Sequence, residues 1–189
     1  MLPEEWKVEI QRSHRKTLSI CAREDYRILV KAPYRMPERE ICEFLEEKKG
    51  WLKKHFDLIE KTRRETEAEG YLTAEEIRTL AAMAKRVLPG RVDYYASVLG
   101  VDYGRITIRN QKSCWGSCSA KGNLNFNCLL MLAPSAVADY VVVHELCHRL
   151  EMNHSAAFWK LVEKVLPDYR ERRKWLKENG EVLLRRMTG

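Results

Sequence analysis

The segment His144-Glu145-Leu146-Cys147-His148 places two imidazoles and a carboxylate within five residues. On an α-helix, residues four apart lie nearly above one another, so His144 and His148 can reach one metal ion. Glu145 is turned about 100° around the helix from His144. It can therefore bond a water on that metal without being a ligand. Two histidines at this spacing with an interposed glutamate suit zinc-assisted hydrolysis. A catalytic zinc takes three protein ligands and leaves a position for water. His154 is the expected third ligand. Ten residues beyond His144, it would lie roughly 15 Å along an unbroken helix, so the chain must turn back after about Glu151. Asn153 suits that turn because asparagine tolerates the left-handed conformation. Ser155 can then cap a following helix, Ala156–Val165. Glu163 on that helix is the alternative third ligand. The motif sits among strongly apolar residues, where two histidines and a glutamate are costly to bury unless paired or ligated. Cys147 points away from His144 and reads as a small core residue.

The chemistry expected of such a site is hydrolysis. Zn²⁺ lowers the pKa of its water towards about 7, and Glu145 takes the proton and later returns it to the leaving group. Tyr169 and Arg170 are candidate partners of the oxyanion. The spacing follows the long metzincin pattern, His-Glu-x-x-His-x-x-Gly-x-x-His, except that Glu151 stands at the glycine. No metzincin fold is inferred.

The elements that must hold these residues are legible in outline. Ser135 to Glu151 is too long for a strand and reads as a buried helix, despite the β-branched run Val141-Val142-Val143. A strand is expected at Arg105–Arg109, a Ser- and Gly-rich loop at Asn110–Gly122, and a second strand at Leu124–Leu130. That second strand is the expected edge on which an extended substrate pairs through its backbone. Upstream, Thr73 and Glu76 have capping-box spacing and open a helix with Ile77, Leu80, Ala81, Ala84 and Val87 on one face. Pro89-Gly90 is expected to kink or break it, and Gly100 to end it. A basic amphipathic stretch, Tyr169 to Leu176, closes the chain.

The first third alternates apolar and polar residues around Val8 and Ile10, Leu18 and Ile20, and Ile28 and Val30, the period of half-buried strands. Hairpin-sized gaps predict a three-stranded antiparallel meander. Pro37 then suits the first turn of a helix with an apolar stripe through Ile41, Phe44, Leu45, Trp51, Leu52 and Phe56. The charged stretch 57–70, ending at Gly70, is the expected boundary. The predicted class is α+β: a small N-terminal antiparallel sheet with a helix over 1–70, then a helical catalytic core with a short sheet over 71–189.

The chain has 189 residues and a formal charge of +7. Residues 1–70 are nearly neutral and residues 71–189 carry almost the whole surplus. That surplus raises the expectation of an acidic partner, nucleic acid or nucleotide, on the catalytic half. Arg170, Arg172, Arg173, Lys174 and Lys177 crowd one segment. No apolar run approaches the roughly 18 residues of a membrane span, and the N-terminus has no secretory pattern. Six scattered cysteines without a Cys-x-x-Cys pair read as reduced thiols, and the expected location is the cytoplasm. Cys114 and Cys118 alone could be half a metal site, but no second pair stands at the spacing of a zinc ribbon.

From Asn110 to Trp175 the chain closely resembles the YgjP-like metallopeptidases, relatives of the WLM and SprT-type zincins. The resemblance rests on Gln111-Lys112-Ser113-Cys114-Trp115-Gly116-Ser117-Cys118-Ser119, Asn123-Leu124-Asn125, Tyr140 through His148, Met152-Asn153-His154-Ser155, Phe158-Trp159 and Pro167-Asp168-Tyr169. Arg15 to Ser19 and Trp51 match more loosely. The resemblance implies a helical zincin-type catalytic core with a short sheet, zinc at His144, His148 and His154, Glu145 as general base, and peptide or protein substrates. Cys114 departs, since the family usually carries an arginine there that could orient a loop or an oxyanion. Trp115 and Trp159 read as packing residues. Three functions stay open: a zinc peptidase, a metal-dependent nucleotide phosphohydrolase, and a nucleic-acid- or protein-binding module with a structural zinc. Oligomeric state is not legible.

Overall fold

The computed structural model describes residues 2–23 and 25–187. The protein is α+β, with two small mixed sheets. It divides into two compact units, one up to Glu65 and one from Thr66 onward.

The first unit holds β1 (Lys7–Ser13), β2 (Ser19–Ala22) and β3 (Arg27–Pro33), with most of α1 (Glu38–Glu69). The sheet is not the expected antiparallel meander. Its order is β1-β3-β2, with β1 parallel to β3 and only β2 antiparallel to it. The burial explains the centre strand. Ile28, Leu29, Val30 and Ala32 of β3 are all buried, whereas β1 is mostly exposed. A strand apolar on both faces belongs inside a sheet, and the 13-to-19 link skips across it instead of making a hairpin. Asp25 and Tyr26, both at positive φ, make the tight return from β2 to β3. Ile41, Leu45, Leu52, Phe56 and Ile59 of α1 join Ile28, Val30 and Trp6 in one core. Trp51 does not; it is exposed and stacks on His55. The helix runs through the charged stretch without a break as far as Glu69.

The second unit is built on α2 (Ala74–Leu99). Its capping box is formed as spaced: the Thr73 hydroxyl accepts from the Glu76 N–H, and the Glu76 carboxylate accepts from the Thr73 N–H at 2.8 Å. Gly100 ends it in the left-handed conformation at φ +67°. Pro89 does not break it off; the helix continues to Leu99. Burial of Leu88, Val92, Tyr95 and Ala96 along this second half offsets the hydrogen bond that a proline removes.

The second sheet has β4 (Ile106–Arg109), β5 (Gly116–Cys118) and β6 (Leu124–Asn127) in the order β4-β6-β5. β6 is shorter than expected, because Cys128–Leu132 turns into a 3-10 helix capped by the Asn127 side chain. Asn127 is fully buried, and its amide donates to the carbonyls of Gln111 (2.7 Å) and Cys114 (3.0 Å). It thereby pins the Gln111–Trp115 segment that leads into β5.

Helix α3 (Ser135–Cys147) is buried on nearly every side, and Val141, Val142 and Val143 are in it. The helix penalty of valine is at most about 0.7 kcal/mol per residue, against about 1.5–3 kcal/mol for burying its side chain. Packing therefore overrides local preference. Asp139 of α3 forms a two-pronged pair with Arg91 of α2 and accepts from the Tyr95 hydroxyl at 3.1 Å. Helices α4 (Ala156–Val165) and α5 (Tyr169–Arg185) complete the unit.

Candidate metal centre

Tyr140, His144 and His148 succeed one another at one-turn spacing along α3. The helix ends at His148, whose Nδ1 lies 3.1 Å from the Glu151 carbonyl. That bond puts the proton on Nδ1 and leaves Nε2 as the free acceptor. The expected left-handed turn at Asn153 is not what brings the chain back. Its φ is not positive; instead its Oδ1 accepts from the Ser155 N–H at 3.0 Å. Ser155 in turn caps α4, its hydroxyl accepting from the Phe158 N–H at 3.3 Å. His154 is held between these two bonds.

The result is convergence. Nε2 of His154 stands 2.9 Å from Nε2 of His144. One ligand atom from each of His144, His148 and His154 lies within 4.8 Å of the others. Among the described residues this is the one such group of metal-capable side chains. Phe158, fully buried, touches all three rings, with centroid distances of 4.9, 4.7 and 4.8 Å to His144, His148 and His154. The site is thus floored by an aromatic ring and open on the side of the exposed His154.

Burial sets the protonation. His144 is pushed down to about 3, first by desolvation and then by the neighbouring His148, His154 and Arg173. His154 is lowered for the same leading reason. Neutral imidazoles are the ligand form. The Nε2 atoms of His144 and His154, 2.9 Å apart, can share either a proton or a cation between them. Tetrahedral Zn–N bonds of about 2.0–2.1 Å separate ligand nitrogens by about 3.3 Å, within reach of the observed spacing. The donor set of three imidazoles and no thiolate fits zinc or another imidazole-binding divalent ion. Nδ1 of His144 is buried without a hydrogen-bond partner.

Glu145 is 6% exposed and lies outside the histidine cluster. Burial pushes its carboxyl up to about 8. It faces β5: a Cβ built on Gly116 would fall 2.7 Å from its Oε1. Tyr140 is buried, with its ring 5.8 Å from that of His144, and burial raises its phenol to about 12.

The rival ligand Glu163 is elsewhere, paired with Arg170 at 3.0 Å. That pairing occupies Arg170, and Tyr169 is buried with its ring stacked on Trp159. Cys147 is fully buried, as core. Cys114 and Cys118 join no metal-capable group among the described residues, and all six cysteines are free thiols. Of the crowded cations on α5, Arg170, Arg172 and Lys174 are each paired with a carboxylate, so the basic surface is smaller than its sequence suggests. Three residues named in the sequence were not assigned to the site from it. Helical spacing alone points to Tyr140, one turn before His144. Gly116 against Glu145, and Arg173 over Trp159 at 4.5 Å, depend on long-range packing.

Residues 16–82 and 69–179 match the family described as YgjP-like, metallopeptidase domain. The chain belongs to that family. As a YgjP-like metallopeptidase it is a metal-binding hydrolase of peptide or protein substrates. Two solved structures are similar over 48% of this metallopeptidase: the zymogen of Pyrococcus abyssi abylysin, at 25% identity, TM-score 0.44 and 94% of that chain, and the zymogen of Methanocaldococcus jannaschii jannalysin, at 18% identity, TM-score 0.43 and 93% of that chain. No curated protein matches. No helix among the described residues is long and apolar enough to cross a membrane.

Proposed function

We propose that this chain is a zinc-dependent peptidase in which His144, His148 and His154 hold the metal and Glu145 is the general base. The observation that carries the reading is the convergence of three imidazoles with a buried carboxylate next to the first of them and outside their cluster. Zinc bound there supplies a Lewis acid that polarises the scissile carbonyl and acidifies water. Glu145 accepts the proton of the attacking water and returns it to the departing amine. Burial raises the proton affinity of the metal-free carboxyl, and a cation held by the histidines would favour the carboxylate form that accepts the proton. Tyr140, held protonated by burial, donates to the oxygen that gains charge.

The strand that guides substrate changes from the sequence expectation. Leu124–Asn127 is the centre of its sheet, paired on both edges, and offers no free backbone. The edge beside Glu145 is β5, Gly116–Cys118. An extended peptide lying along β5 passes its backbone next to the base, and Gly116, lacking a side chain, leaves room for both.

Glu145→Gln tests the reading. The purified variant should keep its zinc while hydrolysis of a mixture of quenched fluorescent peptides falls by at least ~10²-fold. Loss of zinc would make Glu145 a ligand, and unchanged turnover would assign the base elsewhere.

A further inference from the structure

The second sheet has another edge, and it is not blunted. β4 pairs only with β6. Leu124 N–H donates to the Arg105 carbonyl at 2.9 Å, and the parallel register aligns Ile106 with Leu124 and Ile108 with Phe126. In that register the N–H and C=O groups of Arg105, Thr107 and Arg109 face β6, and those of Ile106 and Ile108 face outward. Among the described residues no hydrogen bond reaches these outward groups.

That edge is one wall of a groove of about 520 Å³ whose other wall is Lys85 and Pro89 of α2. The lining is basic: Lys85, Arg105 and Arg109 are exposed, and no acidic residue lines it. Among the described residues none of the three takes part in an ion pair. Arg105, Thr107 and Arg109 alternate onto one face of β4, while the half-buried Ile106 and Ile108 pack towards the core. The two arginines are four residues apart, roughly 13 Å at about 3.3 Å per residue.

We infer that the outer edge of β4 is a second peptide-binding site, which takes an acidic extended segment as an added strand. Backbone bonds to Ile106 and Ile108 supply the pairing. Carboxylates at alternate positions of the segment meet Arg105 and Arg109 on one side, and Lys85 closes over it from α2. The site is separate from the candidate metal centre, because β6 lies between β4 and the β5 edge beside Glu145. It therefore stands whether or not the zinc assignment does. Cations on a free edge can also serve to repel other strands; that role predicts no ligand.

The probe is a fluorescein-labelled peptide of alternating glutamate and valine, titrated into the 189-residue chain in low salt and followed by anisotropy. The alternating lysine–valine peptide and single-stranded oligodeoxythymidine are the controls. The acidic peptide should bind at least tenfold more tightly than either control, and amide exchange at Ile106 and Ile108 should slow on binding. Arg105→Glu with Arg109→Glu should weaken it at least tenfold, and Lys85→Glu alone, on the opposite wall, should weaken it severalfold. All three positions are exposed. N-methylation of alternate peptide amides should abolish binding. No binding would assign the cations to edge protection only. Equal binding of the oligonucleotide would assign them to polyanions in general. Binding without protection at Ile106 and Ile108 would remove the added strand. Any of these overturns the inference.

Discussion

Gly116→Ala is the most informative single change, because it touches the base and no ligand. An alanine Cβ there would sit 2.7 Å from Glu145 Oε1, 2.8 Å from its Cγ and 3.0 Å from its Cδ. Ordinary contact begins near 3.4 Å, so the carboxylate or β5 must give by about 0.7 Å. Glu145 is 6% exposed and has little room to retreat. A misplacement of about 1 Å can cost ~10²-fold in rate, so a loss of about ten- to a hundredfold in kcat/KM is expected. Overpacking costs about 1–3 kcal/mol of stability, which a modest fall in Tm would report. The histidines are untouched, so metal content should stay at the wild-type value. The assay is hydrolysis of quenched fluorescent peptides, with zinc measured on the same sample. Full activity with a wild-type pH profile would show that Glu145 tolerates the displacement, and the positional argument for it as base would fail.

His154→Ala should lose most of the zinc while remaining folded, and Glu163→Ala should keep it; the reverse pattern in elemental analysis would move the third ligand to α4. Tyr140→Phe should lower kcat by about tenfold or more with zinc and KM little changed, and a purely structural tyrosine would lower Tm instead. The metal-free protein should show a pH signature. Burial holds His144 neutral down to about 3. Below its ordinary value of 6.5 the unfolded chain therefore binds the extra proton, and stability rises with pH between about 3 and 6.5. Glu145 acts oppositely: folded, it keeps its proton up to about 8, so its contribution is lost as pH rises from 4.5 to 8. Between about 6.5 and 8 only the Glu145 effect operates. Thermal unfolding in chelator should therefore show stability falling across that window, and Glu145→Gln should flatten the fall. A parallel fall in the variant would exclude Glu145 as its source.

What could be read from the sequence was whatever local chemistry dictates. The capping box at Thr73, the stop at Gly100 and the cap at Ser155 are each set by two or three neighbouring residues, and each is found where its residues are. The histidine spacing likewise fixes which side chains can converge, and His144, His148 and His154 do so. The misreadings lie where distant packing decides. Strand order in the first sheet follows the doubly buried β3, not the size of the gaps. Pro89 stays helical because the turns after it are buried. The three-residue strand β5 was hidden in a glycine- and serine-rich stretch, since it is held by pairing with β6 and has little strand propensity of its own. Missing it misplaced the edge that faces Glu145.

Trp159 has an optical consequence. Its indole lies nearly parallel to the ring of His154, at 25° and 5.8 Å, is stacked on Tyr169, and has the Arg173 guanidinium 4.5 Å from its centroid. An indole so placed feels the field of any charge that arrives on the imidazole beside it. Its emission should therefore shift when His154 takes up a cation or a proton. Subtracting the spectrum of a Trp159→Phe protein isolates that signal from the other tryptophans, so the state of the histidine cluster can be followed in the unlabelled chain before any substrate is known.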